Sequence, residues 1–199
     1  MASLTKMAPL TLTGRFVRLE PMSEDHVPGL TAVGIDDEIW RLMPYGPMRD
    51  EADIRRWVRL LMQRAAEGTD LPFTVIHLDS GRVAGTTRYM EIRPKHRGLE
   101  IGGTWYGADF RRTVVNTECK YLLLRHAFED LLCIRVQLKA DSRNDRSQRA
   151  IERIGATKEG TLRNHMVLPD GTVRHSVYFS IVDSEWPAVK KRLESMLSR

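Results

Sequence analysis

The 199-residue sequence predicts an α+β (mixed α/β) fold: one mixed, mostly antiparallel sheet with flanking helices. Three observations predict it. Strand-like runs come first as a meander broken by short turns. A helix apolar over most of its circumference then stands between two strands, and Pro169-Asp170-Gly171 closes a hairpin near the C-terminus. A strand–helix–strand crossover within an otherwise antiparallel order makes one pair of strands parallel. No repeat or low-complexity linker divides the chain, so residues 1–199 read as a single domain.

The elements follow in order. Phe16–Leu19 is a short strand candidate ending at Pro21. Pro28, Gly29, Gly34, Pro44, Gly46 and Pro47 interrupt the next stretch, which predicts one irregular helix around Ser23–Asp37 and then a loop to residue 49. Asp50 is placed to cap a helix running to Glu67 and stopped by Gly68, with Ile54, Trp57, Val58, Leu61 and Ala65 on one face. Phe73–Leu78 and Val83–Ile92 are strands joined by a turn at Asp79-Ser80-Gly81, and Leu99–Tyr106 is a third, ending at Gly107. The apolar helix spans Thr117–Leu132; so little polar surface means packing against a sheet. Ile134–Ala140 alternates as a strand with Ile134, Val136 and Leu138 on one side. Asn144–Ile154 is a helix ended by Gly155, with Ala150, Ile151 and Ile154 facing inward. Thr157–Leu168 and Thr172–Val182 form the closing hairpin. A last helix begins near Ser184, holds Pro187 in its first turn and buries Trp186, Val189, Leu193 and Leu197.

Composition excludes several classes. Hydrophobic residues make up 42% and charged residues 29%, the balance of an ordinary globular chain rather than a disordered or fibrous one. No apolar run approaches the roughly 20 residues of a membrane span, and Met1–Leu10 lack a continuous apolar segment of the signal-peptide kind. These features predict a cytoplasmic protein without a membrane partner. Cys119 and Cys133 cannot build a disulfide framework or a four-cysteine zinc site and read as reduced core residues. His26, His77, His96, His126 and His175 show no metal-ligand spacing, and Cys119 and His126 stand two helical turns apart, too far for a thiol–imidazole dyad. The 31 Lys and Arg against 26 Asp and Glu give a formal charge of +5, which suits an anionic partner such as a phosphorylated cofactor, RNA or an acidic peptide.

Two stretches carry the chemistry. Leu99–Tyr106 runs out into a loop holding Arg111 and Arg112, and a helix begins with Asn116 or Thr117 as its cap. Free backbone N–H groups and the positive dipole end gather at such a start, and paired guanidinium forks suit a pyrophosphate. Neither a GxGxxG nor a GxxxxGK[ST] loop is present, which removes Rossmann and P-loop readings. The second stretch, Asp141–Ala156, is a strand end followed by N-x-x-S (Asn144, Ser147) and a short amphipathic helix closing on Gly155-Ala156.

The N-x-x-S helix resembles the acetyl-CoA-side helix of the GNAT N-acetyltransferases. R-x-x-x-x-N-x-E (Arg111, Asn116, Glu118) resembles the pyrophosphate loop of that family. The closing hairpin, with Leu168-Pro169-Asp170-Gly171 and Tyr178-Phe179-Ser180-Ile181, resembles the RimJ/RimL-type branch, which acetylates protein N-termini. The similarity spans roughly residues 14 to 195. It implies a GNAT-like sheet and acetyl-CoA as co-substrate, with no metal. It further implies that Thr104, Trp105 and Tyr106 hydrogen-bond the pantetheine arm and that Arg111, Arg112, Thr113, Val114, Val115 and Asn116 bind the pyrophosphate. Asn144 would then contact the arm near the thioester, and Ser147 would protonate the departing thiolate. Arg149 is placed for a CoA phosphate, with Arg146 and Arg153 near the same helix surface. Glu100 is either a base acting through water or a solvated strand-end carboxylate.

The sequence departs from the family at two positions. A glycine usually stands where Val114 does, and a β-branched residue is poorly suited to positive φ. Met166 stands where the ribosomal-protein enzymes carry a carboxylate, and strand alternation turns its neighbour His165 to the other face. An α-amine, partly neutral near pH 7, needs little help from a base. The expected acceptor is therefore a protein or peptide N-terminal α-amine, with a ribosomal protein among the candidates. The alternatives are a small-molecule amine, or a CoA- or RNA-binding protein of the same fold that has lost catalysis. The resemblance also admits a homodimer.

Overall fold

The computed structural model describes Leu4 and residues 8–198; most of the N-terminal segment read above for a signal peptide lies outside the described residues. Its frame is an eight-stranded sheet in the order β1-β2-β3-β4-β5-β6-β8-β7. The strands are β1 (Leu12–Thr13), β2 (Val17–Pro21), β3 (Leu71–His77), β4 (Val83–Arg93), β5 (Gly98–Tyr106), β6 (Arg135–Asp141), β7 (Thr157–Val167) and β8 (Val173–Val182). Every neighbouring pair is antiparallel except β5 and β6, joined in parallel by the predicted crossover.

Helices α1 (Val27–Gly34) and α3 (Glu51–Ala66) contact β4 and β3, whereas α4 (Val114–Arg125) packs on β1 and β2 and against α6 (Trp186–Leu197). One core centres on Phe73, Tyr89, Leu99, Leu123 and Phe179; a second gathers Leu30, Trp40, Ile54, Trp57, Leu61 and Trp105. In the second, Trp40 lies edge-on to both Trp57 and Trp105, with ring centroids 5.5 Å apart in each case. No described helix is long and apolar enough to cross a membrane. Cys119 and Cys133 are free and buried, as expected, and burial pushes the Cys119 thiol up to about 12.

Four local expectations are corrected. The segment read as one irregular helix over Ser23–Asp37 and a loop is a single turn at Glu24–His26, then α1, then the separate helix α2 (Asp37–Trp40), capped by the Asp36 side chain. The apolar helix starts at Val114 rather than Thr117, because Thr113 adopts an extended conformation and its hydroxyl accepts the Val115 N–H; neither Asn116 nor Thr117 is the cap. That helix gives way after Arg125 to a wider π turn over His126–Asp130, instead of running on to Leu132. Ile134 does not share the inner side with Val136 and Leu138. It precedes β6 and is 39% exposed, its backbone held by Arg97 and Asp183.

Candidate functional site

The site begins as an interruption in the sheet. β5 and β6 pair only over Gly98–Glu100 and Arg135–Gln137. Beyond Glu100 both strands continue, β5 to Tyr106 and β6 to Asp141, with no pairing between them. A bulge drives the separation: between Gly102 and Trp105, β5 sets Gly103 and Thr104 opposite the single residue Thr87 of β4. Gly103 takes a φ of +57°, which a side chain would resist, and a Cβ there would sit only 3.1 Å from the Arg88 side chain. The Ile101–Tyr106 edge is thus a strand edge without a neighbour, able to hydrogen-bond an extended ligand arm.

A cavity of about 1060 Å³ fills this gap, at the upper end of the roughly 300–1,000 Å³ usual for small-molecule sites. It collects every sequence-predicted site residue except Val114 and Val115. Val115 is fully buried in the core, and Val114, the first residue of α4, is outside the lining. The residue with a left-handed backbone in this loop is Arg112, at φ +61°. Val114 therefore does not stand at a position that requires glycine.

One half of the cavity is cationic. Arg112, Arg146 and Arg149 are exposed and line it, near the start of α4 and along α5 (Asp145–Arg153). Among the described residues no side chain caps the Val114 or Asn116 N–H groups, leaving first-turn donors for an anion. Arg111 differs from its neighbour. Its Nε donates to the Tyr106 carbonyl at 2.9 Å and its Nη2 pairs with Asp36, so much of its fork is spent fastening α2 to the end of β5. Burial pushes the Asp36 carboxyl up, but Arg111 and the Glu38 N–H outweigh it and hold the group below its usual value. Arg153 also lines the cavity and donates to Thr117 Oγ1.

At the centre stand the groups able to handle protons. The Asn144 side-chain oxygen caps α5 by accepting the Ser147 N–H at 3.0 Å. The Ser147 hydroxyl has no hydrogen-bond partner among the described residues. Glu100 is not a solvated strand-end carboxylate. It is 1% exposed; its Oε2 accepts from Gln137 at 2.8 Å and pairs with Lys139 at 3.1 Å, while Oε1 has no donor among the described residues. Met166 lines the cavity, but His165 does not turn to the other face as alternation predicts. Asn164 at φ +51° and the register shift between Leu162 and Met166 break the alternation, and the ring bonds Ser176 and Tyr178, on the same face of β8 as Arg174.

Several lining groups were missed. Lys120 sits buried on α4, its Nζ donating to Thr104 Oγ1 at 2.7 Å, and burial pulls its pKa down to about 8. Arg88, 3% exposed on β4, pairs with Asp70 at 3.0 Å and donates to the Tyr45 hydroxyl at 2.6 Å. Arg174 on β8 is 6% exposed. The common feature of all three is a cation with little exposure within a helix or strand, which a fold keeps only with a partner or a task.

Comparisons with known proteins bear on the family and the fold. The model of the Acetyltransferase (GNAT) domain family matches residues 17–157. A Bacillus subtilis protein named "Putative ribosomal N-acetyltransferase YdaF" is 30% identical over 113 residues, 57% of this chain and 61% of that protein, so the match spans less than two thirds of the relative. The crystal structure of a GCN5-related N-acetyltransferase from Brucella melitensis is 32% identical with a TM-score of 0.88, covering 96% of this chain and 87% of that one. Mycobacterium smegmatis RimJ in complex with CoA-disulfide shares the fold, at 20% identity and a TM-score of 0.78, over 98% and 97% of the two chains.

Proposed function

The chain belongs to the GNAT acetyltransferase family, and from that premise we propose that it moves the acetyl group of acetyl-CoA to an amine by direct attack, most readily to the α-amine of a protein or peptide N-terminus. The observation that carries this reading is the parting of β5 and β6 beyond Glu100. It leaves an unpaired strand edge leading from the cationic start of α4 to a pocket holding Ser147 and Glu100. A pantetheine arm can add to that edge, with its phosphates at the first-turn N–H groups and beside Arg112, Arg146 and Arg149. Asn144, its oxygen committed to the cap, has its amide N–H₂ left for the arm.

Acetyl-CoA supplies an acyl group already attached to a good leaving thiolate, so holding the amine in line accounts for most of the acceleration. The Ser147 hydroxyl is a free donor for the thiolate. Glu100 lines the cavity, and its Oε1, without a donor among the described residues, can take the amine proton through a water. An α-amine of pKa about 7.7–8.0 asks less of that base than a lysine at about 10.4. A non-catalytic binder would have no use for Ser147 and Glu100 in one cavity. The ribosomal name of the Bacillus relative supports ribosomal proteins among the acceptors. Acetyl-CoA mixed with a peptide bearing both a free N-terminus and an internal lysine tests the reading: free thiol should appear, with mass spectrometry finding the acetyl group on the α-amine. Acetylation only on the lysine rejects the N-terminal acceptor.

A further inference from the structure

Opposite the cationic start of α4, the cavity is bounded by the segment from Leu42 to Tyr45, by Met90 and by Met166 and Arg174 of the closing hairpin. Arg174 is anomalous there. Its Nε donates to Ser176 Oγ at 3.0 Å and its Nη1 to the Leu42 carbonyl at 3.2 Å, while Nη2 has no partner among the described residues. It also has no ion-pair partner among them. The other buried arginine of this half, Arg88, has Asp70. The acids around Arg174 are already committed: Asp141 to Arg143 through three hydrogen bonds, one of them from the Arg143 backbone N–H, and Glu100 to Lys139. Burial pulls the Arg174 pKa down, and the nearby Asp141 and Glu100 charges offset this only in part. Burying such a charge is expensive unless an anion meets it. The thioester end of acetyl-CoA is uncharged, so the anion must arrive with the acceptor.

We propose that Arg174 forms a carboxylate subsite in the acceptor half of the cavity, so that the preferred acceptor is an amine that also carries a carboxylate. This rests on the acetyltransfer reading above and narrows it. Polyamines are disfavoured, since a second ammonium would face the guanidinium. The carboxylate has two sources: an acidic side chain at a peptide N-terminus, or the α-carboxylate of a free amino acid.

The test compares acid and amide pairs. One arm uses peptides beginning Glu-Ala and Gln-Ala, both amidated at the C-terminus; the other uses free alanine and alaninamide. Thiol release gives kcat/KM, and calorimetry on the protein saturated with CoA gives affinity independently of turnover. The acid member of one arm should be favoured roughly ten- to hundredfold, the range of a charge-assisted hydrogen bond to a buried group, and that arm identifies the source. Arg174→Gln should bring the ratio near one, and Arg174→Lys should keep part of it. A residue that merely ties β8 to Leu42 would leave the ratio unchanged on substitution. Ratios near one in both arms for the native protein, or a ratio that survives in Arg174→Gln, overturn the proposal. If the glutamine variant does not fold, the native ratios decide. If no acceptor releases thiol, the acetyltransfer reading fails by itself, and the calorimetric ratios still decide the subsite.

Discussion

At the scale of single residues, the two functional serine and arginine positions make separable demands. The Ser147 hydroxyl bonds nothing among the described residues, so its removal should cost little stability. A donor to a departing thiolate acts only as charge develops, and general-acid help is worth about 10²–10⁴-fold. Because a thiol leaves readily even unprotonated, Ser147→Ala should lower kcat on the order of ten- to a hundredfold, with unchanged Kd for acetyl-CoA and unchanged melting temperature. Native kcat in the folded variant would assign catalysis to positioning alone. Arg112 is held at φ +61°, costly for any residue with a Cβ, yet it presents its charge at the start of α4. Arg112→Gly should therefore raise stability by a few tenths to about 1 kcal/mol in denaturant melts while weakening CoA binding several-fold in calorimetry, more so at low salt. A variant that gains stability and keeps its affinity would take Arg112 out of the phosphate site. Arg111, tied to Asp36 and Tyr106, should instead lose stability and affinity together.

Elements that announce themselves locally were legible in the sequence. Asp50 caps α3, Gly155 ends α5 at φ +103°, and Pro169-Asp170-Gly171 turns the β7–β8 hairpin, each through chemistry confined to a few neighbouring residues. Elements that depend on distant partners were not legible. Helix α2 is one turn long and persists because Trp40 packs between Trp57 and Trp105 and donates to the Gly34 carbonyl. Arg174 and Lys120 became site residues only when β8 and α4 were brought beside the gap. The start of α4 lay between these cases. Val114 and Val115 are β-branched and weak helix formers, and their helical state rests on the Thr113 cap and on Val115 entering the core. Val114→Gly follows from that placement. The family pattern by itself predicts that glycine at this position tightens CoA binding or leaves it unchanged. With Val114 inside the first helical turn, the variant should instead lose up to about 1 kcal/mol of stability and bind CoA no better. A clearly tightened Kd by calorimetry would restore crowding by the valine.

At the scale of the whole molecule, opening the sheet to make a site places a charge in the interior, and the cost should be measurable as a pH dependence of folding. Lys120 is 6% exposed, and burial lowers its pKa from 10.5 to about 8 in the folded state. Below pH 8 both folded and unfolded chains carry the proton, and the folded state bears the full penalty of the buried ammonium. Between about pH 8 and 10.5 the unfolded chain binds more protons than the folded one, so stability rises with pH across that window. Above it both states are neutral and the penalty is gone. At 1.36 kcal/mol per pKa unit the rise is on the order of 3 kcal/mol. Cys119 and Cys133, pushed up from 9.0 to about 12 and about 11, lose their protons in the unfolded chain within the upper part of this window and there oppose the climb. The comparison is therefore made against Lys120→Met, which keeps both thiols and cancels their contribution. Urea melts of the native protein and of Lys120→Met between pH 7.5 and 9.5 isolate the contribution. The native curve should climb relative to the variant as pH rises, the variant being the more stable near pH 7.5 and the gap closing toward pH 10. Parallel curves would mean that Lys120 is solvated in the folded state. Because the ammonium lines the same cavity as the proposed CoA site, saturating CoA should flatten the native climb: a nearby polyanion holds the proton on Lys120 and raises its folded pKa toward the unfolded value.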